Sequence, residues 1–258
     1  MRFDIITLFP ELFAPFLTCG VTRRAFERRQ VDVRLWNLRD FAQGNYRRVD
    51  DRPFGGGPGM VLMAEPLLKC LEAIRAERDD QAPVVLFSPT GKKLDHAGVA
   101  GWAAGTGAIL VCGRYEGLDQ RFVDRHVDIQ VSVGDFVLSG GEIPAMALLD
   151  AVARLQPGVL NDDGSHQLDS FNPALDGLLD CPHFTRPEVW NGVPVPDVLL
   201  SGHHGQIERW RRDRRLETTW RARPDLIEAA RAAGSLDRAD EGLLSVLASK
   251  QADGKKIV

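Results

Sequence analysis

Apolar residues along this chain fall into short runs separated by glycine-bearing turns and by stretches with helical spacing. "RFDIITLF" (2–9), "PVVLFS" (83–88), "GAILVC" (107–112) and "VDIQVSV" (127–133) read as strands, and "VDVRLWN" (31–37) alternates as a strand does. Between the first two of these in sequence lies a helix that includes "TRRAFERR". "EPLLKCLEAIRAERDD" (65–80) is amphipathic, with Pro66 in its first turn, and "EIPAMALLDAVARL" (142–155) carries Pro144 in the same place. "LDQRFVDRH" (118–126) is a short helix. "LDHAGVAGWAAG" is a poor one, weakened by Gly98 and Gly101. Strands alternating with helices predict an α/β domain with a mostly parallel sheet over roughly residues 1–155.

Residues 156–185 have no clear period, which suits a lid, a binding loop or a linker. "GQIERWRRDRRLETTW", "PDLIEAARAAG" and "EGLLSVLASKQA" then predict a small, mainly helical C-terminal domain. The stretch "PFGGGPGM" (53–60) excludes regular structure. Its glycines permit close backbone approach, and its prolines, Phe54 and Met60 favour an ordered loop over a flexible turn.

Composition narrows the class. The 258 residues are 44% hydrophobic and 26% charged, as in soluble globular proteins, so a sizeable core is expected. Cys19, Cys70, Cys112 and Cys181 are too far apart for a disulfide framework or a zinc site. They predict reduced thiols and a cytoplasmic protein. His203 and His204 are adjacent rather than one helical turn apart, and no metal site is predicted. The opening "MRFDIITLFPELF" is too short an apolar run for a signal sequence, and no stretch approaches a membrane span.

Net charge is −4, but the charges are segregated. Residues 21–52 hold nine arginines against five acids. Residues 205–223 hold seven against three, with Trp210 and Trp220 among them, whereas 161–180 hold five aspartates and no Lys or Arg. Basic faces of this kind are the footprint of nucleic-acid binding; a solvated, salt-bridged helix is the competing reading.

Three predicted strands end alike, in "SPTGKK", "GRYEG" and "GDFVLSGGE". In open α/β sheets ligands sit beyond the carboxyl ends of the strands, so the three loops predict one pocket. None is a phosphate loop: "SPTGKK" lacks the earlier glycine and the following hydroxyl residue, and no G-x-G-x-x-G follows the first strand. The expected ligand therefore has no triphosphate. A cationic ligand would need carboxylates, and Glu116, Asp135 and Glu142 are available, although each also suits a cap or a surface acid.

"RPFGGGPGM", "FSPTGKKLD", "LVCGRYEGLD", "VGDFVLSGGEIPAM", "DSF", "LLDCPHFTRP" and "VLLSGHHGQIERWR" occur in one order. Together they closely resemble the bacterial tRNA (guanine-N1)-methyltransferases of the SPOUT class over nearly the whole chain. The resemblance implies a trefoil-knotted α/β domain over 1–160, a linker or lid over 161–185 and a helical tRNA-binding domain over 186–258. It implies S-adenosylmethionine as methyl donor, a cationic sulfonium without phosphate. It further implies a homodimer whose active sites are shared between subunits, and a substrate guanine just 3′ of the tRNA anticodon, preceded by guanine. Magnesium enters without a dedicated protein cage, shared with RNA or with Glu116.

Donor contacts carried by the motifs are Phe87, Ser88, Pro89, Gly113, Tyr115, Glu116, Val133, Gly134, Leu138, Gly140, Gly141 and Pro144. Substrate contacts are Gly59, Asp50, Ser165, Asp180, Arg209 and Arg212. The resemblance makes Asp169, in "LDSF", the general base and Arg154 the cation that steadies charge developing on guanine O6. As bare residues the two read as a loop aspartate in a turn and an arginine complementing a helix C-terminus. Two departures stand out: Phe136 sits where the family often has Tyr, and "NPALDG" (172–177) lengthens the lid. A SPOUT enzyme acting on ribose or ribosomal RNA, and a non-catalytic RNA-binding module, are the alternatives.

Overall fold

The computed structural model describes residues 1–161 and 165–252. Residues 162–164 of the expected lid and 253–258 of the expected helical domain lie outside them. The chain divides into two compact units, Met1–Asn161 and Asp162–Val258.

The first unit is built on five parallel strands, β1 (Arg2–Thr7), β2 (Asp32–Asn37), β5 (Val84–Lys93), β6 (Gly107–Val111) and β7 (Ile129–Ser132), in the order β2-β1-β6-β5-β7. Two residue-pair strands, β3 (Asp50–Asp51) and β4 (Val61–Leu62), form a separate antiparallel ladder. Around the sheet run α1 (Phe13–Thr18), α2 (Arg23–Glu27), α3 (Ala64–Ala76), α4 (His96–Ala104), α5 (Gln120–His126) and α6 (Glu142–Arg154).

The strand pleat explains the two cores. Phe3 and Ile5 of β1, with Val85 and Leu110, face Ala145, Leu148, Leu149 and Val152 of α6. Ile6, Val84, Ile109 and Val111 face the other way, onto Leu67, Cys70, Leu71 and Ile74 of α3. Both helices bury residues at i, i+1, i+4 and i+5, one stripe each. A fully buried leucine in such a stripe stabilises by about 1.5–3 kcal/mol. Asp4 is the polar exception in β1: it is wholly buried and takes hydrogen bonds from Arg2, Trp36 and Arg78.

β5 runs further than its apolar run suggests. Phe87 and Lys92 both pair with Val131, so Ser88–Gly91 bulge out of the strand. Gly91 permits this, because a Cβ there would stand 2.4 Å from the Val131 nitrogen.

The second unit holds β8 (Val189–Trp190), β9 (Val193–Pro194), α7 (Asp197–Leu200), α8 (His204–Ala222), α9 (Pro224–Ala232) and α10 (Arg238–Ala252). Pro224 stops α8 and opens α9. Leu216, Ile227, Ala230, Leu244 and Leu247 form its core together with Leu178, which comes from the aperiodic segment. That segment contains the 3-10 turns Ser165–Leu168 and Pro173–Leu175. The Leu179 amide, bonded to the Thr219 hydroxyl at 3.0 Å, ties it to α8. Among the described residues no helix is long and apolar enough to cross a membrane.

Candidate active site

The carboxyl ends of β5, β6 and β7 open on a cleft of about 530 Å³, the size of a small-molecule site. Its walls are the bulge after Phe87, the turn 113–118 and the loop 132–141 that leads into α6. Tight backbone passages hold these loops together. The Gly141 amide donates to the Gly113 carbonyl at 2.9 Å, and Arg114 and Gly140 form a β-bridge. Tyr115 and Gly117 take left-handed φ values of 59° and 131°, so the 113–118 turn doubles back sharply.

All twelve residues expected at the donor site line this one cleft: Phe87, Ser88, Pro89, Gly113, Tyr115, Glu116, Val133, Gly134, Leu138, Gly140, Gly141 and Pro144. Phe136 also lines it, and its ring edge fills the place of a Gly134 side chain, 2.4 Å from where a Cβ would be. Sequence reasoning passed over Thr90 and Gln130, which line the cleft beside Ser88. There the Thr90 hydroxyl bonds Ser88 Oγ at 2.8 Å and donates to Gln130 Oε1 at 2.7 Å.

Of the three carboxylates expected to face a cation, two are otherwise engaged. Glu142 is fully buried, accepting from Thr7 Oγ1 at 2.8 Å and from Arg114 Nε at 2.9 Å. Asp135 pairs with Lys93 at 2.6 Å on the surface. Glu116 stays in the cleft wall. Its side chain packs on Gly59, whose absent Cβ would stand 2.4 Å away, and its amide donates to the Met60 carbonyl at 3.0 Å. Gly55, Gly56, Gly57 and Gly59 all have positive φ, which explains a loop that only glycine can trace. Asp50 pairs with Leu62 at the base of that loop.

Arg154 ends the 13-residue helix α6 that Glu142 opens, hence about 18 Å away along the axis at 1.5 Å rise per residue. It is not among the residues lining this cleft. Asp169 lies in the second unit, half-buried just after the turn Ser165–Leu168. Its carbonyl accepts from the Asn172 amide at 3.2 Å.

Asp180 accepts from the Cys181 amide at 2.7 Å, contacts His183 at 2.9 Å and lies 3.5 Å from Arg215. Burial pushes its carboxyl up, but the Cys181 amide and His183 outweigh burial and hold it below the usual range. Arg209 bonds Asp213 at 2.8 Å and lies 3.1 Å from Asp240. Arg212 is tied to Asp176 at 2.6 Å, to Asp240 at 2.9 Å and to the Ser235 carbonyl. The remaining arginines of 205–223 also have acidic partners: Arg211 with Glu208, Arg214 and Arg221 with Glu217, and Arg223 with Asp225. The salt-bridged helix is thus the observed geometry. A pair between two exposed side chains, such as Arg211 with Glu208, is worth about 0–1 kcal/mol, whereas a tie to a buried carboxylate, such as Arg212 with Asp240 or Arg214 with Glu217, costs more to break.

Residues 1–229 match the family model described as tRNA (guanine-1)-methyltransferase TrmD. A tRNA (guanine-N(1)-)-methyltransferase of Paracidovorax citrulli is 75% identical over 251 residues, covering 96% of this chain and 98% of the relative. A protein of the same description from Polaromonas sp. is 72% identical over 251 residues, 96% of this chain and 97% of its own length. One from Bordetella pertussis is 56% identical over 255 residues, 97% of this chain and 99% of its own length. With the cleft and loops placed as described, the chain belongs to the tRNA (guanine-1)-methyltransferase family.

Proposed function

We propose that this protein methylates N1 of a guanine in tRNA, the base just 3′ of the anticodon when another guanine precedes it, with S-adenosylmethionine as donor. The observation that carries this reading is the gathering of the twelve motif residues around one cleft without a phosphate loop. Leu86, Phe87, Val133, Leu138 and Pro144 give an apolar bed for a purine. Main-chain groups at Gly113, Gly134, Gly140 and Gly141 suit the polar edges of a nucleoside, and Glu116 suits a positive charge. Bound there, the donor supplies a methyl group activated by a sulfonium.

The protein's own task is to align the nucleophile and to remove the N1 proton. Asp169 takes that proton. Taking a proton from a neutral purine ring leaves negative charge behind, so the transfer to a carboxylate is uphill and leaves a gap to be made up. Arg154 narrows the gap by steadying negative charge on O6. The length of α6 separates Arg154 from the cleft at the other end of the same helix, which supports active sites completed by a second copy of the chain. The trefoil threading that the family implies is compatible with the close passage of Gly141 over Cys112 and Gly113. Residues 161–185 serve as linker and lid, and the helices of 186–258 hold tRNA. There the exposed Arg221, together with the half-buried Arg211 and Arg209, meets phosphates.

The donor set does not fit a resident magnesium ion. Among the described residues the one cluster with ligand spacing is Asp180, Cys181 and His183, whose thiol and imidazole suit softer metals. Magnesium is therefore read as travelling with RNA or meeting Glu116, and a tRNA modifier of this kind works in the cytoplasm.

The test is methylation of unmodified tRNA transcripts that differ only in the two guanines at and before the target, with the methyl mapped to base or sugar. Methyl on N1 only when both guanines are present is expected. Methyl on ribose, or indifference to the preceding base, would overturn the reading.

A further inference from the structure

Among the described residues lining the cleft, Arg114 is the one cation. Its guanidinium is used mechanically. Nη1 donates to the Ser139 carbonyl at 3.2 Å, the group lies 4.6 Å from the Phe9 ring centre, and its side chain occupies the space beside Gly140. A planar five-donor group is a good clip for the 139–141 wall. It also places a full positive charge beside a site that, on the reading above, must accept a cationic donor.

Glu142 answers that charge. It stands at the first position of α6, fully buried, and makes no side-chain cap for the helix. One carboxylate oxygen goes to Thr7 and the other to Arg114 Nε. Taking a carboxylate wholly out of water is costly, and a packed apolar pair would hold the same elements at least as well. What an apolar pair would not do is cancel Arg114.

We propose that Glu142 is an electrostatic positioning residue: by neutralising Arg114 in the cleft wall, it sets the preference of the site for a sulfonium donor over its uncharged thioether product. The proposal rests on reading the cleft as the S-adenosylmethionine site. Glu142 touches no reacting atom; its charge acts by balancing that of Arg114.

S-Adenosylmethionine and S-adenosylhomocysteine differ by one methyl and one positive charge, so their affinity ratio reports the local potential. Calorimetry on the full chain at fixed ionic strength, with both ligands, is the measurement. Glu142→Gln should lower the methionine-to-homocysteine affinity ratio about tenfold by unmasking Arg114. Arg114→Gln should raise the ratio, because it leaves Glu142 unmatched. The double variant should return the ratio to within about twofold of wild type, since the two charges act as one unit.

A merely structural role would weaken both ligands alike. Equal losses in Glu142→Gln, or shifts of one sign in both single variants, would overturn the proposal. If Glu142→Gln fails to fold, the opposite-signed shift in Arg114→Gln decides alone. Wild-type protein that binds neither ligand would sink the cleft reading itself, whereas normal binding with an unmoved ratio would sink only the role of Glu142.

Discussion

Gly141 lies directly against the backbone of Cys112: a β-carbon on Gly141 would stand 2.7 Å from the Cys112 α-carbon and 3.1 Å from the Gly113 nitrogen. No side chain can step aside there, because the obstructing atoms are main chain. Gly141→Ala must therefore push α6 and the turn after β6 apart. The expected cost is roughly 2–4 kcal/mol, with loss of donor binding, read by denaturant melts and calorimetry. Gly101, inside α4 with nothing within 4 Å of its missing Cβ, is the contrast. Gly101→Ala should stabilise by about 0.5–1 kcal/mol. A Gly141→Ala melt that overlays wild type would show that the passage is looser than described.

Asp169→Asn should abolish methylation, by about 10²–10⁴-fold, while donor affinity stays within a few-fold. Wild-type turnover in this variant would remove Asp169 from the role of base. Arg154→Ala should lose turnover by about 10²–10³-fold with donor affinity intact, as expected for a group that meets charge only as it develops. Loss of donor binding alone would contradict that role.

The cleft was legible in the sequence because its residues sit where three apolar runs stop, and strand ends are visible from local pattern. The partners of long side chains were not. Arg212 reads as a free cation on a basic helix, yet Asp176 and Asp240, far away in sequence, hold it in place. Glu142 reads as an available carboxylate until folding brings Thr7 beside it. Segment 165–181 has no period because only Leu178, Leu179 and a few neighbours anchor it, through single contacts rather than a repeating face. The hairpin β8–β9 was missed although its signal is present. Asn191-Gly192 between Val189-Trp190 and Val193-Pro194 is a two-residue turn, and both turn residues have positive φ.

Asp240 should make the second unit acid-sensitive. Its side chain is buried; burial alone would push its carboxyl up, but Arg212, the Asp237 amide and Arg209 together hold it below the usual range. The folded state therefore binds fewer protons than the unfolded state between the two pKa values. The stabilisation is fully present above the unfolded value of about 3.9, and is lost as pH falls through the lower folded value. Asp180, also lowered, adds in the same direction. Asp240→Asn should cost about 3 kcal/mol near neutrality, by leaving two arginines half-paired, and should flatten the acid limb of a melting-temperature profile. An unchanged acid limb in the variant would show that other carboxylates govern it.

The four thiols should differ sharply in reactivity, because a thiolate, not a thiol, is the nucleophile. Cys19 is exposed, whereas Cys70, Cys112 and Cys181 are buried. Burial, with Asp4 and Asp40 nearby, pushes Cys70 up to about 12. Burial and the neighbouring Glu142 raise Cys112 well above the ordinary value, with Arg114 opposing. Burial and then Asp180 raise Cys181. At pH 8 a thiol near 12 is ionised to about one part in 10⁴, so access and chemistry both protect the buried three. Brief treatment of native protein with iodoacetamide should place one adduct, on the Cys19 peptide, and unfolded protein should take four. Cys19 is outside the cleft lining, so the singly labelled protein should keep its donor affinity. Early labelling of Cys112 would be the informative failure: that thiol belongs to the buried core shared by the sheet and α6, so reaching it requires that core to open.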